Sequence, residues 1–149
     1  MSLPHIDWEG MYRNLRKSGD RFGIKFGNVQ LLSNARMSLA AGEFARDCGK
    51  FEAYHEAIFH SYFTRARDIG AWEVVREAAE TAGFDTAELK KALDDGRYLH
   101  RLSAATDEAH RNNINSAPTF IINNQYAIVG AQPVETFRDT LIRIGSKSA

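Results

Sequence analysis

"NSAPTFIINNQYAIVGAQP", from Asn115 to Pro133, constrains the fold of this chain more than any other segment. It reads as a proline-led strand, a tight polar turn and a second strand. Phe120, Ile121 and Ile122 are consecutive in the first strand, so both of its faces ask for cover. A lone two-stranded hairpin is marginal in water unless it packs on a helix or joins further strands. Upstream the sequence reads as helix after helix, so an apolar strand arrives with no evident strand partner but its own hairpin mate.

Length and composition narrow the rest. A chain of 149 residues is most simply one domain, and at that size it can bury roughly 70% of its unfolded surface. Lys and Arg together number 19, and so do Asp and Glu. A balanced chain with no basic block argues against nucleic acid and anionic membrane as partners. No apolar run approaches the ~20 residues that span a bilayer. The opening "MSLPHIDWEG" lacks a basic end followed by an apolar stretch, which reads against a secretory leader. The single cysteine, Cys48, excludes an internal disulfide and a multi-cysteine zinc site. A cytoplasmic protein without cofactor or metal is the expectation.

Helical periodicity divides the chain before the hairpin. Trp8, Met11, Tyr12 and Leu15 share a face in a helix expected over His5 to Ser18, with Gly19 as its stop. After the glycine-bearing loop "GDRFGIKFGN", Ser33 or Asn34 is placed to cap a helix whose apolar face runs from Met37 through Phe44 to Cys48. "KFEAYHEAIFHSYF" carries a broad stripe of Phe51, Tyr54, Ile58, Phe59, Tyr62 and Phe63, as expected of a helix central to the core. Further helices are predicted over Trp72 to Ala82, from a cap at Asp85 to Asp95, over Arg97 to Asn112, and over Val134 to Ile144. Asp85 with Glu88 three residues on has capping-box spacing.

Few residues point to chemistry. His55 and His60 are five apart, which sets them about 140° from each other around a helix, whereas a helical zinc pair is four apart. They read as helix histidines beside the aromatic stripe. Cys48 falls at a helix C-terminus, where the dipole disfavours a thiolate. It reads as a structural thiol, buried or half-buried. His110 reads as a solvated helix residue. Ser33, Ser38, Ser103 and Ser116 lie in no G-x-S-x-G context, and no phosphate-binding glycine loop is present.

From "SAPTF" to "GAQPVETF" the chain resembles the C-terminal part of DsbA-like thioredoxin-fold proteins, and within them the FrnE-like thiol–disulfide oxidoreductases. Pro118, Thr119, Phe120, Tyr126, Ala127, Ile128, Gly130, Ala131, Gln132, Pro133 and Phe137 match that family's pattern. "LLSNARMSLAAGEFARDCGKFEAYHEAIFHSYF" is similar to its inserted helical region. The resemblance implies a mostly helical α/β chain: a partial thioredoxin-like fold with a DsbA-type helical insertion and a C-terminal β-hairpin plus helix. It implies one domain over 1–149, with a helical region at 7–113 and the proline loop, hairpin and final helix at 114–145. It also implies a cis bond at Pro118. Ala117, Pro118 and Thr119 then become the substrate-binding residues, with the backbone of Ala117 docking an extended thiol or disulfide peptide, or glutathione.

The family opens on a strand and a Cys-x-x-Cys at a helix start, and this sequence has neither. The resemblance therefore implies a truncated or degenerate member, without catalytic residues and inactive as given. Two alternatives stand beside it: a glutathione-binding isomerase- or transferase-like protein of the same superfamily, and a non-enzymatic peptide-binding or dimerising module. The strand Thr119 to Asn123, lacking its usual neighbour, implies a homodimer formed through the open sheet edge.

Overall fold

The structure is a computed structural model that describes residues 7–146, with the side chain of Trp8 also left undescribed. The chain divides into two compact units at Ser103/Ala104. The predicted start at His5 and Ile6 lies outside the described residues.

The first unit is helical. Helix α1 (Trp8–Gly19) starts on Asp7, whose carboxylate accepts the N–H of Gly10 at 2.9 Å. A 3-10 turn follows at Asp20–Phe22. Helix α2 (Arg36–Asp47) begins after Asn34, whose side-chain oxygen takes the Arg36 N–H at 3.2 Å. Helix α3 (Phe51–Phe59) runs directly into a π-helical turn at His60–Thr64. Helices α4 (Trp72–Thr81) and α5 (Thr86–Asp94) follow. Asp85 caps α5 as predicted, accepting the N–H groups of Ala87 and Glu88. Helix α6 (Arg97–Arg111) begins in this unit and runs across the division.

Small residues let these helices approach closely. Ala40, Ala41 and Ala45 of α2 form one buried cluster with Val74, Val75, Ala78 and Ala79 of α4, joined by Leu89 of α5. Phe44 meets Phe84 and Tyr98 edge-on, with ring centroids 5.6 and 6.0 Å apart, the favoured aromatic geometry. Asp47 accepts from the Tyr98 hydroxyl and both guanidinium nitrogens of Arg101, tying α2 to the start of α6.

Two expectations are corrected here. Tyr54 and Ile58 are buried, but Phe59 is 48% exposed, so the aromatic stripe is wider than the core it serves. Cys48 is exposed. Helix α2 ends at Asp47 and Cys48 is its C-cap, so the thiol has left the apolar face that the helical periodicity projected.

The second unit holds strands β1 (Thr119–Ile122) and β2 (Tyr126–Val129), then helix α7 (Val134–Gly145). The strands form an antiparallel pair, Thr119 opposite Val129 and Ile122 opposite Tyr126. Asn123 and Asn124 both take positive φ and the Gln125 N–H closes on the Ile122 carbonyl, a type I′ turn that matches strand twist. Phe137 is half-buried and Ile144 buried, while Leu141, at helical spacing from both, is 54% exposed.

Candidate functional site

The hairpin has two unlike faces. Side chains alternate along a strand, so Phe120 and Ile122 share one face with Ile128 and Tyr126. That face meets α7: the rings of Phe120 and Phe137 stand edge-on at 4.9 Å, and Ile128 is buried. The other face holds Thr119, Ile121, Ala127 and Val129. Ile121 is 48% and Val129 52% exposed, so this apolar face is open among the described residues.

Its two edges are unlike as well. Gly130 donates its N–H to the Pro118 carbonyl at 2.8 Å. Hydrogen-bonding pairs alternate in an antiparallel ladder, so Phe120 bonds towards β2 whereas Thr119 and Ile121 turn their N–H and C=O groups away from it. On the β2 side, the outward carbonyl of Val129 is capped by the Gln132 side chain at 2.9 Å. No such cap covers the outward groups of β1 among the described residues. Both edges of this two-stranded sheet are therefore open, that of β2 capped at one carbonyl and that of β1 at none.

The predicted residues stand at the head of the β1 edge. Ala117 and Pro118 are exposed and joined by a cis peptide bond; Thr119 is half-buried. The Thr119 hydroxyl donates to the Ser116 carbonyl at 2.6 Å, which folds the loop onto the strand. Upstream, the Ile114 N–H returns to the Ala109 carbonyl at 2.8 Å and fixes how the loop leaves α6. Neither backbone group of Ala117 takes a hydrogen bond among the described residues. The three residues thus lie together, and the outward backbone groups of Ala117, Thr119 and Ile121 take no hydrogen bond among the described residues.

One signal in the sequence bears directly on this edge. From Asn112 to Val134 there is no charged residue or histidine. Soluble proteins usually guard a free edge with lysine, proline or an inward charge. Here the only guard is Pro118, and it stands at the head of the strand rather than within it.

The remaining polar candidates do not assemble into a site. His55 stacks between Phe51 and Phe59 at 5.4 and 4.0 Å, His60 opens the π-helical turn, and His110 is exposed near the end of α6. No group of three or more metal-ligating side chains exists among the described residues. No helix among them is long and apolar enough to cross a membrane.

A helical unit followed by a proline-led hairpin and a closing helix is the arrangement of a thioredoxin-like protein with a helical insertion. The chain belongs to the DSBA-like thioredoxin domain family, whose model matches residues 6–142. It is 28% identical over 119 residues to the uncharacterized protein YwbO of Bacillus subtilis (strain 168), covering 79% of this chain and 59% of that protein. Its fold is similar to the crystal structure of a "probable DsbA oxidoreductase" from Streptomyces coelicolor, with a TM-score of 0.80 and 24% identity. That match covers 90% of this chain and 58% of the other. The chain thus spans less than two thirds of the length of either protein.

Proposed function

We propose that these residues form the docking half of a DsbA-like thiol–disulfide oxidoreductase of the FrnE-like branch, binding an extended thiol or disulfide peptide along β1. The observation that carries this reading is the uncapped, charge-free edge of β1, headed by the exposed backbone of Ala117. A peptide laid there as an added strand meets the N–H and C=O groups of Thr119 and Ile121. Pro118 turns its carbonyl inward to Gly130, so Thr119 is the first strand residue whose backbone faces the ligand.

No disulfide exchange is expected of the 149 residues themselves. Exchange proceeds by thiolate attack through a mixed disulfide, which a second thiol must then resolve. One exposed cysteine can form a mixed disulfide but cannot resolve it. A dithiol-dependent insulin reduction assay should therefore show no turnover, and turnover near that of a Cys-x-x-Cys enzyme would overturn this part. Titration calorimetry with a cysteine-containing peptide, and separately with glutathione, tests the docking part. Peptide binding that survives a block of the β1 edge would overturn it. Glutathione binding at micromolar strength without peptide binding would favour the isomerase- or transferase-like alternative.

A second reading uses the same edge. Two copies pairing β1 with β1 across a two-fold axis would join their hairpins into one four-stranded sheet and satisfy the outward groups of both. The exposed apolar pair Ile121 and Val129 supports it. A stable monomer by light scattering at micromolar concentration would dismiss this homodimer. A cytoplasmic location accords with the single cysteine in either case.

A further inference from the structure

The helical unit contains a cavity of about 430 Å³ between α2 and α3. Its wall is a ladder of rings at four-residue spacing. Phe51, His55, Phe59 and Phe63 follow one another with centroids 5.4, 4.0 and 5.4 Å apart, continuing from α3 into the π-helical turn. Gly42 lies opposite. A Cβ there would stand 3.8 Å from Phe51 and 3.9 Å from Tyr54, so the missing side chain leaves space rather than relieving a clash.

The polar atoms around the cavity are mostly committed. The Tyr54 hydroxyl donates to the Ser38 carbonyl, the Ser38 hydroxyl to the Ala35 carbonyl, and the Tyr62 hydroxyl to the Leu31 carbonyl. The exceptions are His55, whose imidazole makes ring contacts with Phe51 and Phe59, and Arg46. Its guanidinium lies 4.1 Å over the Phe51 ring, its side chain is 56% exposed, and its ion pair with Glu43 is long at 3.7 Å. Glu43 is also engaged by Arg101 at 3.2 Å. The mouth therefore offers an under-used cation, and its one lining carboxylate is shared between two arginines.

A mainly apolar, ring-lined pocket of a few hundred Å³ with one convergent charge is the usual form of a small-molecule site. We infer that this cavity binds an aryl anion: a flat aromatic body against the Phe51–Phe63 ladder and a carboxylate or sulfonate at Arg46. The ladder selects the body, because faces and edges of rings pack best against other rings. Arg46 selects the head, because a guanidinium pairs with an anionic oxygen through its planar fork of donors.

The test uses two dyes of similar shape on the full chain. 8-Anilinonaphthalene-1-sulfonate carries the anion, and N-phenyl-1-naphthylamine is neutral. The sulfonate should bind at one saturable site. Gly42→Leu, which fills the space, should weaken both dyes by about tenfold or more, equivalent to ~1.4 kcal/mol. Arg46→Gln should weaken the sulfonate by about fivefold, the scale of an exposed ion pair, and leave the neutral dye unchanged. Leu39→Asp, at an exposed position on the rim, should weaken the sulfonate selectively; it keeps the question open to test should Gly42→Leu fail to fold. Three results would overturn the proposal: no saturable binding, sulfonate binding indifferent to Arg46→Gln, or self-association that Leu39→Asp abolishes and that excludes the dyes. The last would make the groove an interface between copies.

Discussion

The N–H of Gly130 reaches the carbonyl of Pro118 at 2.8 Å, and this bond sets the direction of every backbone group along β1. It makes Pro118 a partner of β2, so the next residue, Thr119, must bond outward, and Ile121 after it. A shift of one residue would have turned Phe120 outward at the edge and away from Phe137. Register therefore decides two things together: which residues meet α7, and which offer their backbone to a partner.

Proline substitutions should separate these roles. Ile121→Pro removes an N–H that points away from β2, and edge strands tolerate proline at such positions. It should leave the hairpin folded while abolishing strand addition, whether by a peptide or by a second copy. Ile128→Pro removes an N–H that faces Phe120 and truncates a buried side chain. It should unfold the hairpin. Calorimetry, light scattering and amide hydrogen exchange on both variants check this. If Ile121→Pro unfolded the hairpin and Ile128→Pro spared it, the inward and outward positions would have been assigned the wrong way round.

The edge-on pair of Phe120 and Phe137 fastens α7 to the sheet. Such pairs contribute about 0.5–1.5 kcal/mol beyond the area they bury. A double-mutant cycle of Phe120→Leu and Phe137→Leu should show about 1 kcal/mol of coupling in urea unfolding. Additive single effects would show that the contact is incidental.

The hairpin was legible because its signals are local. Two short apolar runs flank a polar Asn123-Asn124-Gln125 turn, although the consecutive Phe120, Ile121 and Ile122 left open which face would be covered. Asp85 was legible for the same reason, since a short carboxylate three residues before Glu88 has few other uses. The π-helical turn at His60–Thr64 was not: the ring spacing of Phe51, His55, Phe59 and Phe63 runs through it unbroken, so periodicity carries no mark of the extra residue. Val29, almost fully buried in an irregular segment, was equally hidden, because burial outside a helix or strand leaves no period to read. Cys48 failed at a boundary, one residue past the last turn of its helix.

Gly27 should prove more sensitive than its place in a loop suggests. Its N–H donates to the Phe63 carbonyl at 2.7 Å, and a Cβ built on it would collide with the Thr64 carbonyl oxygen. The obstructing atom is backbone, inside the π-helical turn, so it cannot rotate away. Gly27→Ala should destabilise the helical unit by about 1–3 kcal/mol, the usual cost of forcing atoms into a packed contact. Urea midpoints measure it, and an unchanged midpoint would show that the loop and the turn move apart freely.

Tyr54 should give the helical unit a measurable alkaline weakness. The side chain is 1% exposed and its hydroxyl donates to the Ser38 carbonyl at 3.1 Å. Burial raises its pKa well above the ordinary value of 10.0. Above pH 10 the unfolded chain releases this proton while the folded chain keeps it, so the folded state binds more protons and stability must fall as pH rises. The slope from this one group approaches about 1.4 kcal/mol per pH unit. Tyr12, Tyr62 and Tyr98 are raised mainly by burial too, and supply a background slope of the same sign. Tyr54→Phe should cost about 1 kcal/mol at pH 8 through the lost hydrogen bond. It also removes the ionisable group, so the deficit should shrink above pH 10 and vanish near pH 11. Urea unfolding of both proteins at pH 8 and 11 provides the comparison. A deficit that stays constant across that range would mean that the Tyr54 hydroxyl ionises as readily in the folded protein as in the unfolded chain.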